Sequence, residues 1–118
     1  MIETLSFENS HGVPLLQELG DRISHAIILS TIDIPKTAQQ ISLENSLPLS
    51  STYKKIRRLL AMKLLCIDNI HIDDNGKKII CYKSKIKSME FHLGKEGPLL
   101  RFERNDHPCR LDSMLRKS

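Results

Sequence analysis

The sequence predicts an α+β fold, in which helices come first and β-hairpins follow. Between residues 15 and 64, apolar residues recur at intervals of three and four, which is the period of an amphipathic helix. After residue 65 the period changes to two, which is typical of half-buried strands. Asn75-Gly76 lies between two such stretches and is a strong signal for a hairpin turn. At 118 residues the chain is long enough for one domain with a modest core.

Three helical segments are separated by prolines and turn residues. The first runs from Pro14 to the sequence "STID" at 30–33, because Pro35 disfavours helical geometry at the residue before it. The second extends from Lys36 to about Glu44, with Thr37 or Pro35 near its start. The third begins at Ser50, a good N-cap whose hydroxyl can accept a bond from a free backbone N–H. Its inward positions are Tyr53, Ile56, Leu59 or Leu60, and Leu64.

Two β-hairpins are predicted after the helices. The first joins "CIDNIHI" to "IICYKSKI" through "DDNGKK", and a two-residue loop would place Ile72 opposite Ile79 and Ile70 opposite Cys81. These pairs form one apolar patch near the tip of the hairpin. A second apolar patch, formed by Ile67, Tyr82 and Ile86, lies on the other face near the base, and a twist or a bulge would bring the two patches to the same side. The second hairpin combines "MEFHL", the turn "GKEG" and "PLLRFER".

The chain ends lie outside these elements. Residues 1–13 show no sustained period and are expected to form a loosely docked arm, while residues 14–87 hold the helices and the first hairpin. Residues 88–118 contain the second hairpin and a tail, and they are a possible dimerisation element. Two alternatives remain for the tail "NDHPCRLDSMLRKS", which could form a short helix or fray.

Several classes of protein are disfavoured by the composition. No apolar run is long enough to span a membrane and no secretory signal precedes the domain, so we expect a cytoplasmic protein. Three isolated cysteines, Cys66, Cys81 and Cys109, argue against a disulfide framework and a zinc site. Because no phosphate loop, nucleophile motif or metal-type histidine spacing is present, we expect neither an enzyme nor a bound metal or cofactor.

Positive charge is concentrated in one part of the chain. The formal net charge is +4, yet residues 50–87 contain ten bases and three acids, a net of +7. Residues 1–49 contain two bases and six acids, a net of −4. The third predicted helix carries four bases within five positions, and no acid occurs between residues 50 and 67. This distribution indicates an electropositive surface and therefore a negatively charged partner.

The order of these elements resembles the winged helix-turn-helix of ArsR/MarR-type transcriptional regulators, particularly small archaeal members. The resemblance covers residues 15–82 and is carried by "LGDRISHAIIL", "TAQQISLENSLPLSSTYKKIRRLLAMKLL" and "IDNIHIDDNGKKIICY". It implies a three-helix core with a β-hairpin wing, a homodimer, and sequence-specific binding of double-stranded DNA. It also places Ser51 and Thr52 at the start of the recognition helix. The sequence departs from the family at Lys63, where a glycine is usual, and lacks the cysteine pairs of metal-sensing members.

A basic recognition helix has a defined chemistry in the major groove. With Ile56 at the centre of the buried side, the helical period places Lys54 and Arg58 outward, where they would contact base edges. Ser50 and Ser51 at the helix start would bind phosphate. The flanking residues would contact the two phosphate backbones; these are Tyr53, Lys55 and Arg57.

Alternatives to this interpretation remain at the sequence level. Four bases on one helix could form only a solubilising face, although such faces usually mix the two signs of charge. Lys77 and Lys78 of the wing could contact phosphate or be simply solvated, because Asp73 and Asp74 beside them cancel much of the local field. A winged-helix module that binds an acidic protein or RNA through the same basic helix is the second functional hypothesis.

Overall fold

The computed structural model of the protein describes residues 2–6, 18, 20–95 and 97–105, with side chains for all but 2–6, 91, 93 and 97–100. Within these ranges the chain forms three helices: α1 (Arg22–Ser30), α2 (Ala38–Glu44) and α3 (Leu49–Ala61). Its strands are β1 (Ile2–Ser6), β2 (Leu65–Ile72), β3 (Lys78–Ser84), β4 (Ile86–Gly94) and β5 (Gly97–Arg104). They form two antiparallel sheets, ordered β1-β5-β4 and β2-β3. The predicted α+β class is therefore confirmed.

The first described helix begins later than the sequence predicts. Asp21 has extended backbone geometry, and its carboxylate accepts hydrogen bonds of 3.0 Å from the backbone N–H groups of Ile23 and Ser24. It is therefore the N-cap of α1, and a continuous helix through Gly20 and Asp21 is wrong. The predicted start at Pro14 lies outside the described residues.

The other two helices differ in how they begin. At α2 the predicted start is confirmed: the Thr37 hydroxyl accepts a bond from the Gln40 backbone N–H at 3.1 Å, and the Gln40 side chain accepts one from the Thr37 N–H at 2.9 Å. At α3 the N-cap position is occupied by Pro48, so the prediction of Ser50 as the cap is wrong. Ser50 already lies inside the first turn, one residue after Leu49.

Helices and the first hairpin enclose a common apolar core. Its fully buried side chains include Ile27 of α1, Ile41 of α2, and Ile56 and Leu59 of α3. Further members come from the strands, namely Leu65, Tyr82 and Ile86. The predicted inward position of Tyr53 is wrong, because that side chain is 42% exposed and Thr52 is buried instead.

The register of the β2–β3 hairpin is set by a longer loop than predicted. Asp73 and Lys77 close the turn with a backbone hydrogen bond of 2.9 Å, and Gly76 has a positive φ of 79°. This geometry fits a three-residue loop that ends in a left-handed residue. Ile72 therefore pairs with Lys78 and not with Ile79.

A bulge reconciles the two apolar patches of this hairpin. It lies between Ile67 and Asn69. On the side of the hairpin base Ile67 pairs with Tyr82, and on the side of the hairpin tip Ile70 pairs with Ile80. Because a one-residue shift exchanges the two faces of a strand, the bulge turns the base of the hairpin onto the helices. Tyr82 also exchanges two backbone hydrogen bonds, of 3.0 and 2.8 Å, with Lys36 just before α2.

The second hairpin is confirmed, but the arm before the helices is not. β4 and β5 pair from Met89 opposite Phe102 to Gly94 opposite Gly97, and both Met89 and Phe102 pack against the core. The expected loose arm instead contains β1, which adds to β5 along the register from Ile2–Glu103 to Ser6–Leu99. The predicted tail at 106–118 lies outside the described residues.

The cysteines also differ from expectation. Cys81 is free and partly exposed. Cys66 is buried and disulfide-bonded, and its bonding partner is not among the described residues. The prediction that no cysteine takes part in a disulfide is therefore wrong for Cys66.

Candidate nucleic-acid interface

The outward face of α3 carries exposed bases. Thr52, Ile56 and Leu59 are buried and define the inward side of the helix. At about 100° per residue, the opposite direction passes close to Ser50 and Lys54, which are exposed. Arg57 and Arg58 lie on either side of this line. Lys54 is thus outward as predicted, while Arg57 is as outward as Arg58 and does not belong to the flank.

Arg58 and Lys55 face two acids, Glu18 and Asp21, that lie just before α1. Glu18 contacts both bases: its side chain is 9% exposed, and its carboxylate lies 3.6 Å from the Lys55 ammonium and 3.5 Å from the Arg58 guanidinium. Lys55 is also 3.5 Å from Asp21, and the Ser24 hydroxyl donates to Glu18 at 2.8 Å. We call Glu18, Asp21, Ser24, Lys55 and Arg58 the ion cluster.

The ion cluster changes the roles predicted for its two bases. Lys55 is only 18% exposed and lies between two carboxylates, so its charge is largely neutralised inside the chain. Arg58 is 55% exposed, and its guanidinium is shared with Glu18. Both predicted DNA contacts therefore have to compete with acids of the same molecule. The sequence pattern did not indicate this, because Glu18 and Arg58 lie 40 residues apart.

The same contacts act on the capping carboxylate of α1. The pKa of Asp21 is held below its usual value, chiefly by the hydrogen bond from the Ser24 backbone N–H and also by the nearby Lys55 ammonium; partial burial opposes both effects. Asp21 therefore carries its negative charge when the helix is folded, at one end of the ion cluster.

A cleft separates α3 from the β2–β3 hairpin, which we call the wing. It has a volume of about 90 Å³ and lies between Tyr53 on α3, Gln39 on α2 and the lysine pair of the wing, Lys77 and Lys78. Tyr82 forms part of its wall, and burial raises the pKa of that phenol. The cleft offers an aromatic ring, an amide and two ammonium groups to a ligand. Gln39 was missed at the sequence level, where only its place in the first turn of α2 could have indicated it.

The predicted residues divide by their exposure. Thr52 is fully buried and its hydroxyl donates to the Pro48 carbonyl at 2.9 Å, so it belongs to the core side of the helix and not to the interface. Ser51 and Lys55 are half-buried. The remaining predicted site residues are exposed: Ser50, Tyr53, Lys54, Arg57, Arg58, Lys77 and Lys78.

The wing lysines stand beside a structured acid. One oxygen of the Asp73 carboxylate accepts from the backbone N–H groups of Asn75 at 2.9 Å and Lys77 at 2.7 Å, which holds the loop in shape. Asp74 is exposed at the tip. The wing therefore presents two bases next to two acids, as expected, whereas the exposed face of α3 presents bases alone.

Within the described ranges no group of three or more histidine, cysteine, aspartate or glutamate side chains could hold a metal ion. No helix in that part of the chain has both the length and the apolar character required to cross a membrane. Comparison of the sequence and structure with protein-family models, curated proteins and solved structures finds no match.

Proposed function

We propose that the chain is a sequence-specific double-stranded DNA-binding regulator of transcription, with a winged helix-turn-helix domain of the ArsR/MarR type. The observation that carries this proposal is the exposed face of α3, where Ser50, Lys54 and Arg57 face solvent with no acid on the helix. A helix face that carries exposed basic side chains and no acid is suited to the major groove, whose edges are lined by phosphates.

The arrangement of elements supports the same proposal. α2 and α3 are joined by a short turn, and the β2–β3 hairpin follows α3 directly. The bridge between Lys36 and Tyr82 ties the segment before α2 to the hairpin, so helix and wing are held in one unit. Such a unit can insert α3 into the groove while the wing lies over the neighbouring backbone.

The geometry assigns different DNA contacts to the residues of α3 than the sequence does. Lys54 and Arg57 are the candidates for base edges, since both are exposed and neither forms a salt bridge within the described residues. Tyr53, Lys77 and Lys78 around the cleft are candidates for the phosphate backbone. Arg58 would contribute less than the sequence alone indicates, because Glu18 competes for it.

A gel-shift titration with matched charge variants tests the proposal. Lys54→Ala combined with Arg57→Ala should weaken binding to a duplex selected from random sequences by at least about 30-fold, since two specific contacts of about 1–3 kcal/mol each sum to at least about 2 kcal/mol. The control is Lys95→Ala combined with Arg101→Ala, which removes the same charge from exposed positions of the β4–β5 hairpin. Lys77→Ala combined with Lys78→Ala, which removes two candidate phosphate contacts, should instead make the salt dependence shallower by about 0.9 log units per lost contact. Equal affinities of the Lys54 and Arg57 double variant and its control would refute the proposal.

A protein- or RNA-binding module is the second candidate, and one observation favours it. Ile72 is 64% exposed on the wing and Ile70 lies beside it at 38%. Exposed apolar side chains at a hairpin tip suit a protein surface better than a phosphate backbone. If Ile72→Ser abolishes binding to a partner while the Lys54 and Arg57 variants bind it normally, the second candidate replaces the first.

A further inference from the structure

The outer edge of β4 is regular over a defined segment. In the described part of the chain β4 is an edge of its sheet, with β5 on its inner side. A register shift between Ile86 and Ser88 interrupts the base of the strand, and from Ser88 to Gly94 the pairing with β5 is continuous. Phe91 lies at the centre of this segment. An edge of this kind presents unpaired backbone donors and acceptors to any strand that approaches it.

The direction of these backbone groups follows from the turn. Gly94 pairs with Gly97 across a two-residue loop, which makes this a hydrogen-bonded pair of the hairpin. Hydrogen-bonded pairs alternate along an antiparallel ladder, so Glu90 and His92 direct their backbone groups inward to β5. Met89, Phe91 and Leu93 therefore direct their backbone N–H and C=O groups outward.

The side chains of the even-numbered residues lie on the solvent face and are polar at its centre. His92 and Glu90 are exposed, and their side chains lie 2.9 Å apart, from Nε2 to Oε2. Met89 on the other face packs against the core. A strand added at this edge would thus meet a carboxylate and an imidazole in alternation on one face, which can distinguish one register from another.

We propose that β4 pairs with β4 of a second copy of the chain, antiparallel and with the two-fold axis at Phe91. This register places Met89 opposite the partner's Leu93 and Ser88 opposite the partner's Gly94, so the entire regular segment is paired. It also places Glu90 directly opposite the partner's His92. Each carboxylate then has an imidazole beside it in its own strand and another across the interface.

The neighbouring registers are less favourable. A shift of the two-fold axis to Glu90 sets two carboxylates opposite each other, and a shift to His92 sets two imidazoles opposite each other. Both shifts also leave part of the regular segment unpaired. The other edge strand, β1, has five residues, and pairing of β1 with a second copy's β4 would be heterologous, which gives rings or open filaments and not a two-fold dimer. The self-paired β4 edge is closed and isologous.

This dimer rests on the proposed function, since it specifies the homodimer that the resemblance to ArsR/MarR-type regulators implies, and its test uses no DNA. Two single-cysteine variants, Glu90→Cys and His92→Cys, are prepared in a background in which Cys66, Cys81 and Cys109 are all replaced by serine. They are oxidised separately and as a mixture of chains of different length. Glu90 and the partner's His92 form a non-hydrogen-bonded pair with Cα atoms about 4.5 Å apart, within disulfide range. Like positions are about 7–8 Å apart across the diagonal, beyond that range. We expect the mixture to cross-link at least about 10-fold more than either variant alone.

Charge exchange provides the second measurement, by sedimentation equilibrium of otherwise native chains. His92→Glu should weaken dimerisation about 10-fold, because it sets two carboxylates opposite each other. Glu90→His combined with His92→Glu should restore dimerisation, because the exchange again sets a carboxylate opposite an imidazole. Circular dichroism checks that each variant is folded.

A monomer at 100 μM, cross-linking of either single variant as fast as the mixture, or open-ended assembly would each overturn the proposed pairing. Loss of DNA binding in a chain that still dimerises would count against the proposed function alone.

Discussion

Glu18 should stabilise the protein by anchoring α3 to α1. It lies in the ion cluster with 9% of its side chain exposed, at 2.8 Å from the Ser24 hydroxyl and about 3.5 Å from both Lys55 and Arg58. Glu18→Gln keeps the shape and an acceptor for Ser24 but removes the charge. The perturbation therefore isolates the electrostatic part of the contact.

The expected magnitude follows from the exposure of each partner. Lys55 is 18% exposed, so losing a charged partner there costs about 1 kcal/mol, although Asp21 remains within 3.5 Å. Arg58 is 55% exposed, so its pair with Glu18 contributes about 0.5 kcal/mol. Glu18→Gln should lower the free energy of unfolding by about 1.5 kcal/mol. Glu18→Ala should cost about 3 kcal/mol, because it also leaves the buried Ser24 hydroxyl without its acceptor.

Urea and thermal unfolding measure both variants. At about 4 °C per kcal/mol for a chain of this size, the melting temperature should fall by about 6 °C for Glu18→Gln and about 12 °C for Glu18→Ala. The matched control is Glu44→Gln, which removes an exposed pair with Lys36 and should change stability by less than about 0.5 kcal/mol. In 0.5 M NaCl the effect of Glu18→Gln should persist, because buried pairs are less screened. If Glu18→Gln is no more destabilising than the control, the ion cluster does not hold α3 in place.

Three further predictions concern single groups. Because the folded-state pKa of Asp21 is depressed, the contribution of this carboxylate to stability is present above its unfolded pKa near 3.8 and is lost as the pH falls through the folded value. Asp21→Ala should therefore lower the free energy of unfolding by about 1 kcal/mol at pH 7 and by progressively less at acid pH. An equal loss at pH 7 and pH 2 would contradict the assignment of Asp21 as a charged N-cap. Gly76→Ala should lower the free energy of unfolding in urea by about 1 kcal/mol, because the φ of 79° at this position disfavours a side chain. The loss comes from the backbone alone, since nothing lies within 4 Å of the added carbon, and Asn75→Ala at the same hairpin tip is the control. Burial raises the pKa of the Cys81 thiol, so alkylation at pH 8 followed by mass spectrometry should label Cys81 several-fold more slowly than in 6 M urea; equal rates would show that the thiolate is not disfavoured.

Local features of the fold were predictable because their causes lie close together in the chain. Thr37 and Gln40 are three residues apart and form the predicted start of α2, and the change of period after residue 65 marks the strands. Asn75-Gly76 marked the hairpin, but the dipeptide does not determine the loop length. The hydrogen bonds of Asp73 selected the longer loop and so shifted the register by one residue.

By itself the sequence determined the approximate positions of α1 to α3 and of β2 to β5, the Asn75-Gly76 turn and the concentration of bases on α3. Each depends on side-chain period or turn chemistry over a few residues. Only the tertiary structure decided that β1 pairs with β5 and that Lys55 and Arg58 meet Glu18. Strand partners and ion pairs between distant residues depend on how the elements pack, and the local pattern of apolar and charged residues is compatible with many such packings. For the same reason, the candidate pair for base contacts on α3 changed from Lys54 and Arg58 to Lys54 and Arg57 once the position of Glu18 was known.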